Sequence, residues 1–313
     1  MRLGQSPVEV VPLGVGCWAW GDKRYWRYER DLGPNDVVEA FSAALDAGLD
    51  FFDTAEAYGA GKSEQLLGYL ARRSGQPLVL ATKYAPLRQR GGPPAIAKGL
   101  AASLKRMGLP HVDLYQLHWA DRDEAPIDAT MAAFAAAVHA GHARAVGVSN
   151  FSASELRAAH AALARHGVPL ATNQVRYSLL DRSREVDGVL DACRELGVTL
   201  LAYSPLEQGL LTGKYTLDNP PPGPRAEAAQ FTRDNVVAAQ PVLRLLREIA
   251  TAHRVEPAAI ALAWLLAKPN VIPLAGATRG AQVTANAHAL AAVLSAAEIA
   301  ALDSATEPWR VAR

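Results

Sequence analysis

The run Leu49-Asp50-Phe51-Phe52-Asp53, followed by the helical stretch Ser63 to Arg72 and then by Leu78-Val79-Leu80-Ala81-Thr82-Lys83, forms one strand, helix, strand unit. Each apolar run is short, of β type, and closes on polar residues, while the segment between them is leucine-rich and of helical period. Two strands joined through a helix run parallel. The same unit recurs outward in both directions. Further strands are expected at Leu13 to Cys17 before it, and at Asp113 to His118, Ala143 to Ser149, Ala171 to Val175, Thr199 to Tyr203 and Val271 to Ala275 after it. That makes eight, with strand ends recurring roughly every 30 residues, the length of one βα unit. Helical segments between them span Asn35 to Ala47, Pro94 to Met107, Ile127 to His139, Ser152 to Arg165 and Ser183 to Leu196, several opening on a capping residue or an N-terminal proline. Alternation without a shift in composition fits an open doubly wound sheet or a closed barrel, and eight evenly spaced units favour closure. The expectation is α/β class, a (β/α)8 TIM barrel, with residues 1–313 as a single domain.

One interval breaks the rhythm: about 70 residues separate the seventh strand from the eighth. It holds Gly209 to Lys214, the proline cluster Pro220, Pro221, Pro222 and Pro224, and helical patterns from Val236 to Ala252 and from Pro257 to Ala267. The prolines exclude helix and central strand, so a long surface loop at one barrel face is expected. Ser295 to Leu302 reads as one more capped helix.

Composition narrows the partners. A formal net charge of +1, with both signs interspersed, provides no field for nucleic acid or an anionic membrane surface. A small molecule is the expected partner. The two cysteines, Cys17 and Cys193, make no disulfide framework and no CxxC, which points to a reducing compartment. Met1 to Val10 carries no basic segment followed by a long apolar run, and the chain reads as cytoplasmic. His139 and His142 have HxxH spacing but no carboxylate nearby in sequence, so no metal is expected.

Gly14, Gly16 and Ala19 match the G-x-G-x-x-A dinucleotide fingerprint. The context fails, because Trp20 to Trp26 is no helix of apolar period and no acidic strand end follows about 20 residues on. A glycine-rich exit from the first strand is the better reading.

Catalytic groups of a βα barrel sit at the C-terminal ends of its strands. Strand two ends in Asp53 and leads into Thr54-Ala55-Glu56-Ala57-Tyr58-Gly59; strand three ends in Thr82-Lys83; strand four ends in His118-Trp119. A buried aspartate and lysine are costly unless paired, so Asp53 and Lys83 should form an ion pair under the mouth, with Tyr58 above it. Carbonyl reduction needs a proton on oxygen as hydride reaches carbon. A nearby ammonium favours phenolate, which should bring Tyr58 closer to useful acidity, while neutral His118 orients the substrate oxygen.

The run Phe52 to Gly59, the Thr82-Lys83 strand end and Leu114-Tyr115-Gln116-Leu117-His118 resemble the signature segments of the aldo-keto reductase superfamily, in order and spacing. The resemblance covers nearly the whole chain. It implies hydride transfer between NADP(H) and an aldehyde or ketone, with Asp53, Tyr58, Lys83 and His118 as the catalytic tetrad. It also implies that Ser149, Asn150 and Gln174 hydrogen-bond the nicotinamide carboxamide and that Tyr203 stacks on the ring. Ser204, Leu206 and Gln208 then supply hydroxyl and backbone donors to the pyrophosphate, Gly209 allows close approach, and Lys214 adds charge. Gly276, Thr278, Arg279, Gln282 and Asn286 fall where the family binds adenosine, with Arg279 as the candidate for a 2′-phosphate. Two positions depart from many relatives, which carry a basic residue where Thr278 stands and a glutamate where Ala285 stands.

Trp20, Trp26, Tyr25, Tyr84 and Trp119 lie in predicted connections at the mouth and are candidates for an aromatic wall around an apolar or planar carbonyl compound. Arg88 and Arg90 read as solvated loop charges. A nucleotide-binding regulatory subunit of the same fold is the competing function, against which the full tetrad weighs. A sugar or phosphate enzyme would need paired carboxylates or a phosphate loop.

Overall fold

Every strand pairs in parallel with the next in sequence, and the last returns to the first, so the sheet closes on itself without an edge. The computed structural model describes residues 1–86, 92–120 and 125–311. The strands are β1 (Gly14–Gly16), β2 (Phe51–Asp53), β3 (Val79–Tyr84), β4 (Val112–Leu117), β5 (Ala143–Ser149), β6 (Leu170–Arg176), β7 (Thr199–Tyr203) and β8 (Val271–Gly276). Outside them run α1 (Pro34–Asp46), α2 (Lys62–Ser74), α3 (Pro93–Met107), α4 (Ile127–His139), α5 (Ala153–Ala164) and α6 (Val189–Leu196). The long interval after β7 holds short 3-10 turns and then α7 (Arg233–His253) and α8 (Pro257–Leu266); α9 (Gly280–Ala287) and α10 (Ala296–Ala305) follow β8. No helix among the described residues is long and apolar enough to cross a membrane.

The expected helix from Ser183 to Leu196 is divided. A 3-10 turn spans Ser183–Glu185, and α6 starts only at Val189. Gly188 stands between them in the left-handed region at φ 79°, and the Asp187 carboxylate accepts from the Val189 N–H, which begins a new helix instead of continuing the old one. The C-terminal helix is capped as its sequence indicates: Ser295 Oγ accepts from Glu298 N–H and the Glu298 carboxylate accepts in return.

Two apolar layers result. Alanine- and leucine-rich helix faces pack on the outside of the sheet. Inside the barrel, Phe51, Val79, Ala81, Leu114, Ala145, Leu201, Ile272 and Leu274 fill the lower half, and Leu3, Val8 and Val10 of an N-terminal hairpin plug its base. Above that plug the inward positions turn polar. A register shift between Val146 and Gly147 inserts Ala171 as a bulge in β6. Bulges re-aim the residues that follow; here Thr172 and Gln174 meet Gln116 and Asp53 across the barrel.

Candidate active site

The ends of β2 and β3 bring Asp53 and Lys83 together at the top of the barrel interior. Lys83 Nζ donates to Asp53 Oδ1 at 2.5 Å, to the Thr54 carbonyl at 2.9 Å and to Tyr58 Oη at 3.2 Å. Lys83 is wholly buried and Asp53 nearly so, which makes each the other's compensating charge. Asp53 Oδ2 accepts from two amides, Gln116 Nε2 at 3.1 Å and Gln174 Nε2 at 2.9 Å. The carboxylate is therefore satisfied on both oxygens.

Tyr58 reaches this pair through a tight turn. Thr54 Oγ1 donates to Ser63 Oγ at 2.7 Å, and Ser63 Oγ donates to the Cys17 carbonyl at 2.8 Å, tying the exits of β1 and β2 to the start of α2. Glu56 Oε1 accepts from the Ala85 N–H at 2.8 Å, fixing the same loop to β3. After Tyr58 the chain turns through Gly59 at φ 55°, where a Cβ would lie 2.5 Å from the Gly21 carbonyl oxygen. Only glycine fits there. His118 follows β4, with its N–H bonded to the Tyr84 carbonyl at 2.9 Å. Its ring is stacked on Trp119 at 3.9 Å and meets the Tyr58 ring edge-on at 5.7 Å.

Burial decides the protonation of both groups. The His118 imidazole is pushed down to about 2 by burial and then by the Lys83 ammonium, so it is neutral across the physiological range. Among the described residues its Nδ1 is buried without a hydrogen-bond partner. The Tyr58 phenol is pushed up, because burial outweighs the Lys83 ammonium that favours the anion. This corrects the expectation that the ammonium brings Tyr58 toward neutral acidity. Tyr58 is a protonated phenol, held as an O–H donor.

A cavity of about 1010 Å³ opens over these groups and runs along the C-terminal face of the barrel. Asp53, Tyr58 and His118 line it, and so do Ser149, Asn150, Gln174, Tyr203, Ser204, Leu206, Gln208, Gly209, Lys214, Gly276, Thr278, Arg279, Gln282 and Asn286. Lys83 lies beneath, bonded to the two lining residues Asp53 and Tyr58. Ser149 Oγ donates to the Gln174 carbonyl at 2.8 Å, Asn150 Nδ2 donates to the His118 carbonyl at 3.1 Å, and Tyr203 Oη donates to Asn150 Oδ1 at 3.0 Å. The exit of β7 is bent through Ser204, Glu207 and Gln208, all at positive φ. Glu207 holds that bend from below, buried against Arg176 and the Ser178 hydroxyl. Gln282 folds back, its Oε1 accepting from Thr278 N–H at 2.8 Å, while Arg279 stands exposed ahead of α9 with Asp36 3.8 Å away. Lys214 is exposed as well.

The aromatic wall is drawn partly from other residues than expected. Trp26 and Trp119 line the cavity; Trp20 and Tyr84 do not. Trp20 is wholly buried with its indole N–H on the Ala277 carbonyl at 2.9 Å, and Tyr84 is buried against α3, where a Cβ on Gly99 would meet its ring at 2.8 Å. Both serve the outer core. Trp18 takes the wall position, stacked on Tyr25 at 5.0 Å and 6.2 Å from the Tyr58 ring. It stands just beyond β1, where the strand-end rule that found Asp53 and Lys83 would have found it too. Arg225, from the proline loop, also lines the cavity, with its guanidinium 4.6 Å over the Trp26 ring. Nothing in the local sequence marks it. His139 and His142 lie at the end of α4 and the start of β5, at the barrel end opposite the cavity. Among the described residues no three His, Cys, Asp or Glu side chains gather as metal ligands. Arg88 and Arg90 lie outside the described residues.

The Aldo/keto reductase family pattern matches residues 12–307. A chloroplastic pyridoxal reductase of Arabidopsis thaliana is 34% identical over 301 residues, covering 92% of this chain and 81% of that protein. An NADH-specific methylglyoxal reductase of Escherichia coli is 32% identical, covering 95% of this chain and 94% of that one. The aldo-keto reductase yakc [NADP(+)] of Schizosaccharomyces pombe is 34% identical, covering 95% and 88%. A crystal structure of a thermostable aldo-keto reductase in complex with the inhibitor epalrestat superposes with a TM-score of 0.79 at 32% identity, covering 97% of this chain and 98% of that chain. Its closed barrel, its buried lysine under a tyrosine and its sequence together place this chain in the aldo/keto reductase family.

Proposed function

We propose that this protein is an NADP(H)-dependent oxidoreductase that reduces aldehydes or ketones to alcohols, with Tyr58 as the proton donor. The observation that carries the reading is the contact of Lys83 Nζ with both Asp53 Oδ1 and Tyr58 Oη directly beneath the cavity. A carbonyl oxygen seated between Tyr58 and His118 accepts the phenol proton. Lys83, held by Asp53, stabilises the phenolate left behind. Because Nδ1 of the neutral His118 is buried and unpartnered, it is best left as the bare nitrogen, which puts the ring N–H on Nε2 as a donor to the same oxygen. NADPH, when bound, supplies the hydride.

The residues present fit such a dinucleotide. Gly16 and Gly276 are register partners on the cavity floor, and a Cβ on Gly276 would meet nothing nearer than 3.9 Å. That leaves a bare backbone cradle for a flat or charged group. Ser149, Asn150 and Gln174 cluster at the end near Tyr58 and suit the carboxamide, with Tyr203 alongside for the ring. Ser204, Leu206, Gln208, Gly209 and Lys214 follow for the pyrophosphate. Gly276, Thr278, Arg279, Gln282 and Asn286 close the far end around the adenosine. Arg279, an exposed cation with only a distant carboxylate, is the residue on which preference for a 2′-phosphate rests. The named relatives include one NADH-specific and one NADP(+)-linked enzyme, so the preference belongs to this chain's own residues.

Trp18, Trp26 and Trp119 around the reacting end favour planar or apolar carbonyl compounds. A cytoplasmic setting is part of the proposal and rests on the two cysteines, which stay free thiols. The deciding experiment is a tryptophan-fluorescence titration with NADPH and NADH. NADPH should bind more tightly, and Arg279→Ala should weaken it about tenfold or more, given roughly 1.5 to 3 kcal/mol for a charged hydrogen bond. Absence of binding by either nucleotide refutes hydride transfer.

A further inference from the structure

The polar layer above the barrel plug holds two fully buried, mutually bonded side chains outside the tetrad and outside the proposed cofactor contacts, Gln116 and Thr172, and of these Gln116 reaches Asp53. Its Nε2 donates to Asp53 Oδ2 at 3.1 Å, and its Oε1 accepts from Thr172 Oγ1 at 3.2 Å. The space for this chain of bonds is built in. Gly147 lies between the two residues in register, and a Cβ there would fall 2.0 Å from Thr172 Oγ1 and 3.2 Å from the Gln116 side chain. The bulge at Ala171 turns Thr172 inward to meet the amide. Apolar side chains fill the inward positions below, so an amide at this depth costs folding free energy unless both ends are bonded.

We propose that Gln116 is a positioning residue for the reductase reaction: anchored by Thr172, it holds the Asp53 carboxylate against Lys83 and so keeps Lys83 under the Tyr58 hydroxyl. The inference rests on the assignment of Tyr58 as proton donor. Asp53 Oδ2 has two amide donors, and Gln174 is the one that also lines the cavity. Gln116 is the donor with no other task. Its loss leaves the carboxylate free to rotate toward Gln174 and away from Lys83. Among the described residues the ionisable groups that feel Asp53 are Lys83 from β3, Cys17 from the exit of β1 and Tyr58 above, while His118 after β4 feels Lys83.

The test measures kcat and KM against pH for a carbonyl substrate in the parent, Gln116→Leu and Gln116→Glu proteins. A spectrophotometric phenol titration of each, taken against the same protein carrying Tyr58→Phe, isolates Tyr58. Gln116→Leu should lower kcat by about tenfold or more while KM moves less than about threefold, the pattern of a lost transition-state interaction. Gln116→Glu sets a second carboxyl at the 3.1 Å amide distance. While protonated it donates as the amide does; once ionised it repels Asp53 and adds negative charge near the phenol. Its kcat should therefore approach the parent's at acid pH and fall as pH rises where the parent is flat, and Tyr58 should titrate at higher pH. Thr172→Val, which removes the nearer donor to Oε1 and leaves Gln174 Nε2 at 3.5 Å, should give a smaller loss in kcat and keeps the question decidable if Gln116→Leu does not fold. A parent-like profile and unmoved phenol titration in Gln116→Glu overturn the proposal. A parent that binds NADPH but reduces no carbonyl sinks the reductase reading instead, and the phenol titration still decides whether Gln116 acts on Tyr58.

Discussion

Lowering the pH from 7 to 5 should destabilise this protein through His118 alone. The imidazole is 7% exposed, is held at about 2 in the folded chain, and faces the Lys83 ammonium. In the unfolded chain it titrates near 6.5. A folded value below the unfolded one means that the unfolded state binds more protons, so the stability is fully present above about 6.5 and is lost as pH falls toward 2. Each pH unit below the unfolded value costs about 1.4 kcal/mol, and the window from 7 to 5 costs about 2 kcal/mol. For a chain of 313 residues, with an unfolding entropy of about 2.1 cal/mol/K per residue, that loss lowers Tm by about 3 °C. The assay is thermal or urea unfolding of parent and His118→Gln at both pH values, scored on the difference in pH dependence and not on absolute stability. Carboxylates held low by their partners, such as Glu298 and Glu256, lose their contribution at lower pH and are common to both proteins. The variant should lack about 2 kcal/mol of the acid-side loss. Equal pH dependence in the two proteins refutes a neutral, desolvated His118.

Gly59→Ala places a Cβ 2.5 Å from the Gly21 carbonyl at φ 55°; chemical denaturation should show a loss of about 1 to 3 kcal/mol, and reductase activity should fall with it because the turn carries Tyr58. Trp18→Ala should raise KM for an aromatic aldehyde, whereas Tyr84→Phe should leave KM alone, since only the former lines the cavity. Native Cys17 and Cys193 should resist a thiol reagent until the chain unfolds: both are buried, and burial pushes Cys17 far up and Cys193 to about 12.

The parts of this fold that the sequence displays are those with a local cause. The strands β2, β3 and β4 each end where an apolar run meets a polar residue, so Asp53, Lys83 and His118 announce themselves there. The parts it hides depend on packing at a distance. Trp18 and Trp20 stand two residues apart in one glycine-rich stretch, and only the path of the chain over Ala277 decides which indole is buried and which faces the cavity. Arg225 meets Trp26 across a loop of about 20 residues after β7, a contact that no local pattern encodes. The division of the Ser183 to Leu196 segment is of a different kind: Asp187-Gly188 was a readable stop and start signal. The sign of the Tyr58 shift is hidden, because charge is visible in a sequence and desolvation is not.

That desolvation is what gives the site its direction. A lone ammonium beside a phenol in water would favour the anion, and an anion cannot deliver a proton. Here the same burial raises Tyr58 and keeps His118 neutral. In the proposed reaction the phenol keeps its proton until a carbonyl oxygen gains charge in front of it. Lys83 then matters more to the product of the transfer than to the resting state, since its ammonium lies 3.2 Å from the oxygen that becomes negative. On that proposal the strong interaction is reserved for the transition state, and the resting protein bears its cost as a buried ion pair among amides. An apolar side chain in place of either charge would leave the other uncompensated, so neither Asp53 nor Lys83 can be simplified alone, and the Gln116 and Gln174 amides complete the bonding of the pair.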